Sequence, residues 1–351
     1  MSMRPNDDWL KHLGIRYPIV QAPMGGGTST PALSIAVANA GAMACLGSAY
    51  DAPEKIESDI RTVRAATAYP LCVNLFIPVP EPAQPWSLAP MLAVLARIYG
   101  ELGIEAPSGS AAPAFSFEQQ LDVVLSHDVP IFSFTFGMLE PKYVEALHSR
   151  KVFVMGTATT LEEAVCLEAA GVDAIILQGS EAGAHRGNFL AAPSPHVGLF
   201  ALIPQVAARC KRPLIASGGI MDGRGISAAF ALGASAVQMG TAFLLCDESG
   251  ATEAYKQAVL AAKPEDTQIT RAFSGREARG IRNHFIEEIE RAGVPIPHFP
   301  VQNNLTRPLR KFAAEHGRAE YLSLWSGQNG SCGRRLPAAQ LVQALVREAG
   351  L

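Results

Sequence analysis

The densest chemistry in this sequence lies in Gln178-Gly179-Ser180-Glu181-Ala182-Gly183-Ala184-His185-Arg186-Gly187. Three glycines and small neighbours suit a loop packed closely against a ligand. His185 is the one histidine in the glycine-rich loops of the chain. An imidazole with its ordinary pKa of about 6.5 can take a proton near neutral pH, so His185 is the candidate catalytic residue. A solvated loop histidine is the bland alternative. Gln178 offers an amide at the start of the loop, and Glu181 reads as a carboxylate that braces it. The other histidines (His12, His127, His148, His196, His284, His298 and His316) occur singly. None has metal-ligand spacing such as HExxH, so no metal site is expected.

Two further loops have the composition of an anion cradle: Ser217-Gly218-Gly219-Ile220 and Gln238-Met239-Gly240-Thr241. Glycine lets the backbone approach phosphate oxygens, N–H groups at a helix start favour the anion, and Thr241 adds a hydroxyl. The alternative is a pair of tight turns. No GxxxxGK[ST] is present, which disfavours a nucleoside triphosphate. Earlier in the chain, Gln21-Ala22-Pro23-Met24-Gly25-Gly26-Gly27-Thr28 offers a rigid strand exit followed by glycines on which something flat can lie. Asn74 sits within an apolar run, where its amide must find partners. Either an internal hydrogen bond or the edge of a planar heterocycle would satisfy it. In Phe132-Ser133-Phe134-Thr135-Phe136-Gly137, Thr135 and Ser133 are candidate substrate contacts, with core packing the equal alternative. Arg271, Arg276, Arg279 and Arg282 place four cations in twelve residues. They are either solvated charge or a cover over an anion.

The elements that must position these residues are short apolar runs alternating with helix-like runs, the pattern of a parallel sheet with crossover helices. Strands are predicted at residues 18–22, 42–46, 71–76, 130–136, 152–156, 174–178, 213–217 and 236–240, mostly apolar throughout, as strands buried on both faces should be. Eight such units predict a (β/α)8 TIM barrel in the α/β class, and the candidate residues fall at the strand C-terminal ends, where barrels carry function. In the helix predicted at 160–170, Thr160 and Glu163 read as a capping box and Gly171 as the left-handed stop. Asp222 is expected to cap the helix that ends at Gly233. The expected organisation is a cofactor-binding barrel over 1–250 with an insertion at about 78–115. That insertion contains Pro78, Pro80, Pro82, Pro85, Pro90, a helical stretch and the small-residue run 107–114. A mainly helical lid follows at 251–320, with a basic loop at 270–283 and a helix near 286–292. Residues 321–351 form a return segment whose last helix, 337–348, packs on the barrel.

Composition bounds the function. The 351 residues are 48% hydrophobic and 17% charged with net charge −3. A large core is expected, with no electrostatic footprint for nucleic acid or an anionic membrane. Cys45, Cys72, Cys166, Cys210, Cys246 and Cys332 lack CxxC spacing and read as structural thiols. No secretory signal or spanning helix is expected, so a cytoplasmic protein, monomeric or homodimeric, fits best.

With these residues laid out, the chain resembles the nitronate monooxygenase family, formerly called 2-nitropropane dioxygenases. The carriers are QAPMGGGTSTPAL (21–33), NLF (74–76), FTFG (134–137), QGSEAGAHRG (178–187), ASGGI (216–220) and QMGTAF (238–243). The resemblance covers most of residues 14–285 and resumes at Trp325-Ser326-Gly327-Gln328. It implies an FMN-dependent enzyme that oxidises alkyl nitronates, and also nitroalkanes in some members, with O2 to a carbonyl compound and nitrite. Carried over, Ala22, Pro23, Met24, Asn74 and Gln178 would line the flavin ring. Gly183, Gly218, Gly219, Gln238, Met239, Gly240 and Thr241 would hold the ribityl chain and phosphate. His185 matches the family's active-site histidine, which takes a proton from a neutral nitroalkane or contacts the bound nitronate. The chain departs from the family pattern twice. It has Gly183-Ala184 where two glycines are common before the histidine, and that alanine is expected to take ordinary backbone angles. It has Thr135 where some members carry histidine.

Two rivals share these motifs. An FMN-dependent NAD(P)H oxidoreductase, like enoyl-acyl carrier protein reductases or quinone reductases, would have a similar barrel and histidine loop. A non-catalytic FMN-binding protein would keep the glycine loops and need no base.

Overall fold

The structure, a computed structural model, describes residues 8–79, 87–110, 115–190 and 193–351. Pro80, Pro82, Pro85 and part of the 107–114 run lie outside the described residues. Eight parallel strands make the barrel: β1 (Ile19–Gln21), β2 (Ala44–Gly47), β3 (Leu71–Phe76), β4 (Ile131–Thr135), β5 (Phe153–Ala158), β6 (Ala174–Gln178), β8 (Leu214–Ser217) and β9 (Ala236–Met239). From β2 onward each pairs with the next in that order, and β9 pairs with β1. The one remaining seam, between β1 and β2, is joined by a parallel bridge between Val20 and Met43. The predicted eight-stranded barrel is therefore the observed fold.

Side-chain alternation divides each strand between two environments. Outward residues such as Val73, Leu75, Phe132, Phe134, Val154, Ile175 and Leu177 pack against the surrounding helices in the main core. Inward residues Cys72, Ile131, Met155, Ile176, Ile215 and Ala236 fill the barrel floor, which the short N-terminal helix Asp8–His12 closes with Leu10 and Trp9. Two positions further along each strand, the inward residues become polar: Asn74, Ser133, Thr157, Gln178, Ser217 and Gln238. The barrel thus has an apolar floor and a polar upper layer.

The helix signals are partly as expected. Asp222 Oδ1 accepts from Gly225 N at 3.0 Å, and Gly233 ends that helix at φ +116°. Thr160 caps its helix through Glu163 N, but the capping box is not completed. Glu163 turns its fully buried carboxylate to Thr159 N and Oγ1, and to the amides of Phe189 and Leu190. It ties the barrel wall to the loop that follows His185.

The region beyond β9 is less purely helical than expected. A second core gathers Met91, Leu95 and Tyr99 from the helix Ala89–Glu101 with Phe273, Phe285, Leu305 and Leu309 from the lid. Helices His284–Ala292 and Val301–Glu315 belong to it, and the predicted basic loop is flanked and partly formed by strands. Strand β10 (Thr267–Thr270) pairs antiparallel with β11 (Ala278–Ile281), and β11 pairs with β7, the two-residue strand Ala184–His185. The last helix, Ala338–Ala349, packs on barrel helices Pro31–Asn39 and Gly223–Leu232. Among the described residues, no helix is long and apolar enough to cross a membrane. The six cysteines are unpaired; Cys332 is exposed and Cys166 partly so, and the rest are buried.

Candidate active site

His185 leaves the barrel wall on a turn held by its own strand. Gln178, the last residue of β6, donates from Nε2 to the His185 carbonyl at 2.9 Å and accepts from Gly187 N at 2.8 Å. On the other side β11 fixes the same turn through the register pairs Ala278–His185 and Arg279–Ala184. Arg186, fully buried, donates to the carbonyls of Gly179 (2.6 Å) and Gln178 (3.3 Å). Glu181 is the brace expected of it, with both carboxylate oxygens accepting from Leu199 N. Ala184 takes φ +63°, against expectation. The loop keeps the left-handed bend that glycine adopts freely, although alanine fills the position.

The imidazole sits in an aromatic enclosure. Ring centroids of Phe136 and Phe299 lie 5.7 Å away, Trp325 5.8 Å and Phe76 6.4 Å. His185 Nε2 is buried without a hydrogen-bond partner. Burial, then Arg276 and Arg310, pushes the imidazole pKa down to about 3. Removing water disfavours the charged ring, and two nearby cations disfavour it further. The neutral form is therefore the resting state throughout the physiological range. The guanidinium of Arg276 lies 4.0 Å from the Phe136 centroid. Tyr50 shares the same surroundings, its hydroxyl pushed up to about 12 by burial against the pull of Arg310 and Arg276.

At the exit of the neighbouring strand, Gly218 (φ +131°) and Gly219 (φ +68°) follow β8 in conformations that side chains resist. With Ile220, Gly225, Gln328 and Asn329 they line a cavity of about 330 Å³. Among the described residues, the amides of Gly219 and Ile220 have no backbone acceptor. Gln238 donates to Ser217 Oγ at 3.4 Å, while its Oε1 is buried without a donor. Met24 N donates to Ser29 Oγ at 2.8 Å, which fixes the loop of Ala22, Pro23 and Met24. Thr241 Oγ1 accepts from Gly327 N at 3.0 Å, leaving the hydroxyl proton for an acceptor. Free amides and an orphan amide oxygen at a glycine-lined mouth fit a phosphate-bearing, ring-bearing cofactor.

Other predicted residues have different employment. Asn74 takes the internal hydrogen bond, donating to Ser133 Oγ at 2.9 Å. Ser133 itself is fully buried within the barrel, where its hydroxyl accepts that bond. Thr135 reaches Thr157 Oγ1 at 3.4 Å. A Cβ on Gly183 would lie 2.5 Å from the Ser326 carbonyl carbon and 2.6 Å from Gly327 N, so packing of the return segment accounts for this glycine. Of the four lid arginines, Arg282 pairs with Glu287 near the surface, whereas Arg279 donates to the Ser180 carbonyl at 2.9 Å and Arg276 reaches the aromatic enclosure. Tyr50, Thr157, Phe299 and Arg310 were not singled out from sequence. Thr157 alone had a local signal, a polar residue at the inward parity of its strand. No cluster of His, Cys, Asp or Glu suited to a metal occurs among the described residues.

Fold and site together define a (β/α)8-barrel protein with its candidate residues at the strand C-terminal ends. The chain belongs to the nitronate monooxygenase family, whose model matches residues 8–348. It is 42% identical over 340 residues to a probable nitronate monooxygenase of Staphylococcus saprophyticus, covering 96% of each chain. A probable nitronate monooxygenase of Staphylococcus aureus is 40% identical over 338 residues, 96% of this chain and 95% of that one. Among solved structures, the nitroalkane oxidase of Streptomyces ansochromogenes superposes with a TM-score of 0.88 at 38% identity and 97% coverage of both chains. FabK of Thermotoga maritima gives 0.78 at 28%, covering 99% of this chain and 96% of that one. The family typically uses FMN.

Proposed function

We propose that this chain oxidises alkyl nitronates with O2 to a carbonyl compound and nitrite, using FMN held at the barrel mouth. One observation carries this reading: His185 presents an unpartnered Nε2 to an aromatic enclosure at the same strand-end face as the glycine cradle. Family membership and the similarity to the nitroalkane oxidase support it.

The amides of Gly219 and Ile220 would receive the FMN phosphate, with Asn329 beside them. Gln238 Oε1 would accept from a donor on the cofactor, Thr241 would give its hydroxyl, and Ala22, Pro23 and Met24 would support the ring. Bound FMN supplies the redox chemistry and the reaction with O2. The chain's own residues supply position and environment. Phe76, Phe136, Phe299 and Trp325 exclude water from the reacting carbon. His185 contacts the nitro oxygens or the α-carbon through Nε2, and Gln178 sets the turn that aims it.

The test begins with colour. The purified protein should be yellow and release FMN on heating. Gly219→Val should abolish retention, because valine resists φ +68° and its Cβ would lie 3.2 Å from Glu181 Cβ. The holoprotein should release nitrite from propane-2-nitronate in air, and His185→Asn should lower that rate at least tenfold while keeping FMN. A colourless protein that refuses FMN would overturn the reading. So would rapid anaerobic bleaching by NADH or NADPH without nitronate turnover.

A further inference from the structure

We propose that the outer face of the helix Leu199–Ala207, flanked by the helix Leu161–Ala169, is a two-fold interface between two copies of this chain. This goes beyond the enzymatic reading, and it chooses the homodimer from the two states expected from the sequence.

The face is marked by what it lacks. A helix on the outside of a barrel ordinarily carries charge on its solvent side. Leu199–Ala207, with the sequence LFALIPQVA, carries none. Leu199, Leu202, Ile203 and Val206 are buried in the main core. Phe200, Ala201, Pro204, Gln205, Ala207 and Ala208 are exposed. Phe200 is 77% exposed, the most of any large hydrophobic residue described. Among the described residues, three of the five exposed large hydrophobics share this side of the barrel. Val165 lies on the neighbouring helix, and Leu190 donates its amide to Glu163 near the start of that helix. The two helices pack side by side, so these residues border one surface. Contiguous exposed apolar surface of this kind marks a contact site.

The occupant follows from the order of residues along the face. Phe200, Pro204 and Ala208 stand four apart and form one stripe, bulky at its first end and small at its last. A two-fold axis lying in the contact plane at Pro204 reverses the direction of the partner's helix. Phe200 of each copy then covers Ala208 of the other, and the two prolines meet at the axis. The stripe is complementary to itself, as an isologous dimer requires.

The charges at the two ends fit the same arrangement. Both helices are barrel crossovers, so they run in one direction, opposite to the strands. Glu162 is exposed in the first turn of its helix. Lys211 and Arg212 are exposed at the other end, where their amides donate to Glu168 Oε1 at 2.6 and 3.0 Å. Glu168 is thus occupied by backbone, and the exposed Arg209 adds a third cation there. Among the described residues, Glu162, Lys211 and Arg212 have no ion-pair partner within the chain. Reversing the partner's helices sets Glu162 of one copy over Lys211 and Arg212 of the other, twice per dimer. A parallel arrangement would oppose Phe200 to Phe200 and leave these charges unmatched. Rim pairs fix register more than they add affinity. A stable interface takes roughly 800 Å² from each partner. That is more than one helix supplies, so the flanking helix and the exposed Pro193 and Pro195 join the central stripe.

The experiment is sedimentation of the wild-type FMN-loaded protein from about 1 to 100 µM, the weak end for an interface of this size. The expected species has twice the 37.2 kDa of one chain. Phe200→Asp should weaken dimerisation at least tenfold while FMN stays bound, because the altered side chain is exposed. Glu162→Lys should weaken it several-fold, as should Lys211→Glu with Arg212→Glu, and the three changes together should restore it. Cysteine cross-linking needs no destabilising change and is done with Cys166→Ser and Cys332→Ser. Pro204→Cys should link to its own counterpart on mild oxidation, and Phe200→Cys only when Ala208→Cys is also present. A wild-type monomer throughout the range overturns the proposal. So does a dimer that Phe200→Asp leaves intact and Pro204→Cys fails to link. Linking by Phe200→Cys alone overturns the reversed arrangement.

Discussion

Gln178 and His185 are joined across the turn that separates them: the Gln178 amide donates to the His185 carbonyl at 2.9 Å while its oxygen accepts from Gly187 N at 2.8 Å. The resemblance assigned Gln178 to the cofactor's ring. Its side chain spans the histidine loop, with one Nε2 bond and one Oε1 bond made there. Gln178→Glu keeps the shape and replaces the donor by an oxygen facing a carbonyl. Losing such a buried bond costs about 1–3 kcal/mol. Expected is a fall in kcat of about tenfold or more with FMN still bound, since the imidazole loses its aim. Wild-type kinetics in this variant would remove Gln178 as a positioning residue.

Ala184 is the strained member of the same turn, at φ +63°. A non-glycine residue there costs about 1–2 kcal/mol, against which glycine loses about 0.5–1 kcal/mol through its freer unfolded chain. Ala184→Gly should therefore raise Tm slightly, by roughly 1–3 °C. Ala184→Val should lower it by more, because β-branching resists this region. Differential scanning calorimetry of the three proteins decides the order.

Gly183 offers a steric test of how the return segment seats. Its missing Cβ would lie 2.5 Å from the Ser326 carbonyl carbon, and backbone cannot move aside cheaply. Gly183→Ala should shift Trp325 off the imidazole, because Trp325 adjoins Ser326 and lies 5.8 Å from His185. A changed tryptophan emission and a stability loss of about 1–3 kcal/mol are expected in urea melts. Unaltered emission with unaltered stability would contradict the packing described above.

The depressed imidazole has a consequence for stability with a definite sign. In the unfolded chain His185 titrates near 6.5, and in the folded protein near 3. Between those values the unfolded state binds more protons, so stability rises with pH across the window. The contribution is complete above about 6.5 and is lost progressively as pH falls towards 3. His185→Asn removes it, so the variant's Tm should decline less steeply than the wild type's between pH 6.5 and 4. Nitronate turnover by wild-type protein should meanwhile show no histidine limb between pH 5 and 9.

Much of the barrel was legible because each strand is an apolar run with a glycine or polar residue at its exit, as at Leu214–Ser217 before Gly218. What the runs concealed was their inward parity. Asn74, Thr157 and Gln238 stand singly among apolar neighbours, and only barrel closure brings them into one polar layer. The short strand Ala184–His185 has no readable period at two residues, so the lid's sheet was expected as a loop. Phe299 was out of reach for another reason: it approaches His185 from more than one hundred residues away, and nothing adjacent to it in sequence signals it. Arg276 was noticed within a basic run, and only its stacking on Phe136 separates it from the exposed Arg282.

Because β11 hydrogen-bonds to Ala184 and His185 themselves, the cover of this barrel is stitched to its reagent rather than hung beside it. A rigid swing of the whole cover would pull on the backbone that carries the imidazole. Trimming residues 267–281 would consequently remove the strand that pairs with Ala184 and His185.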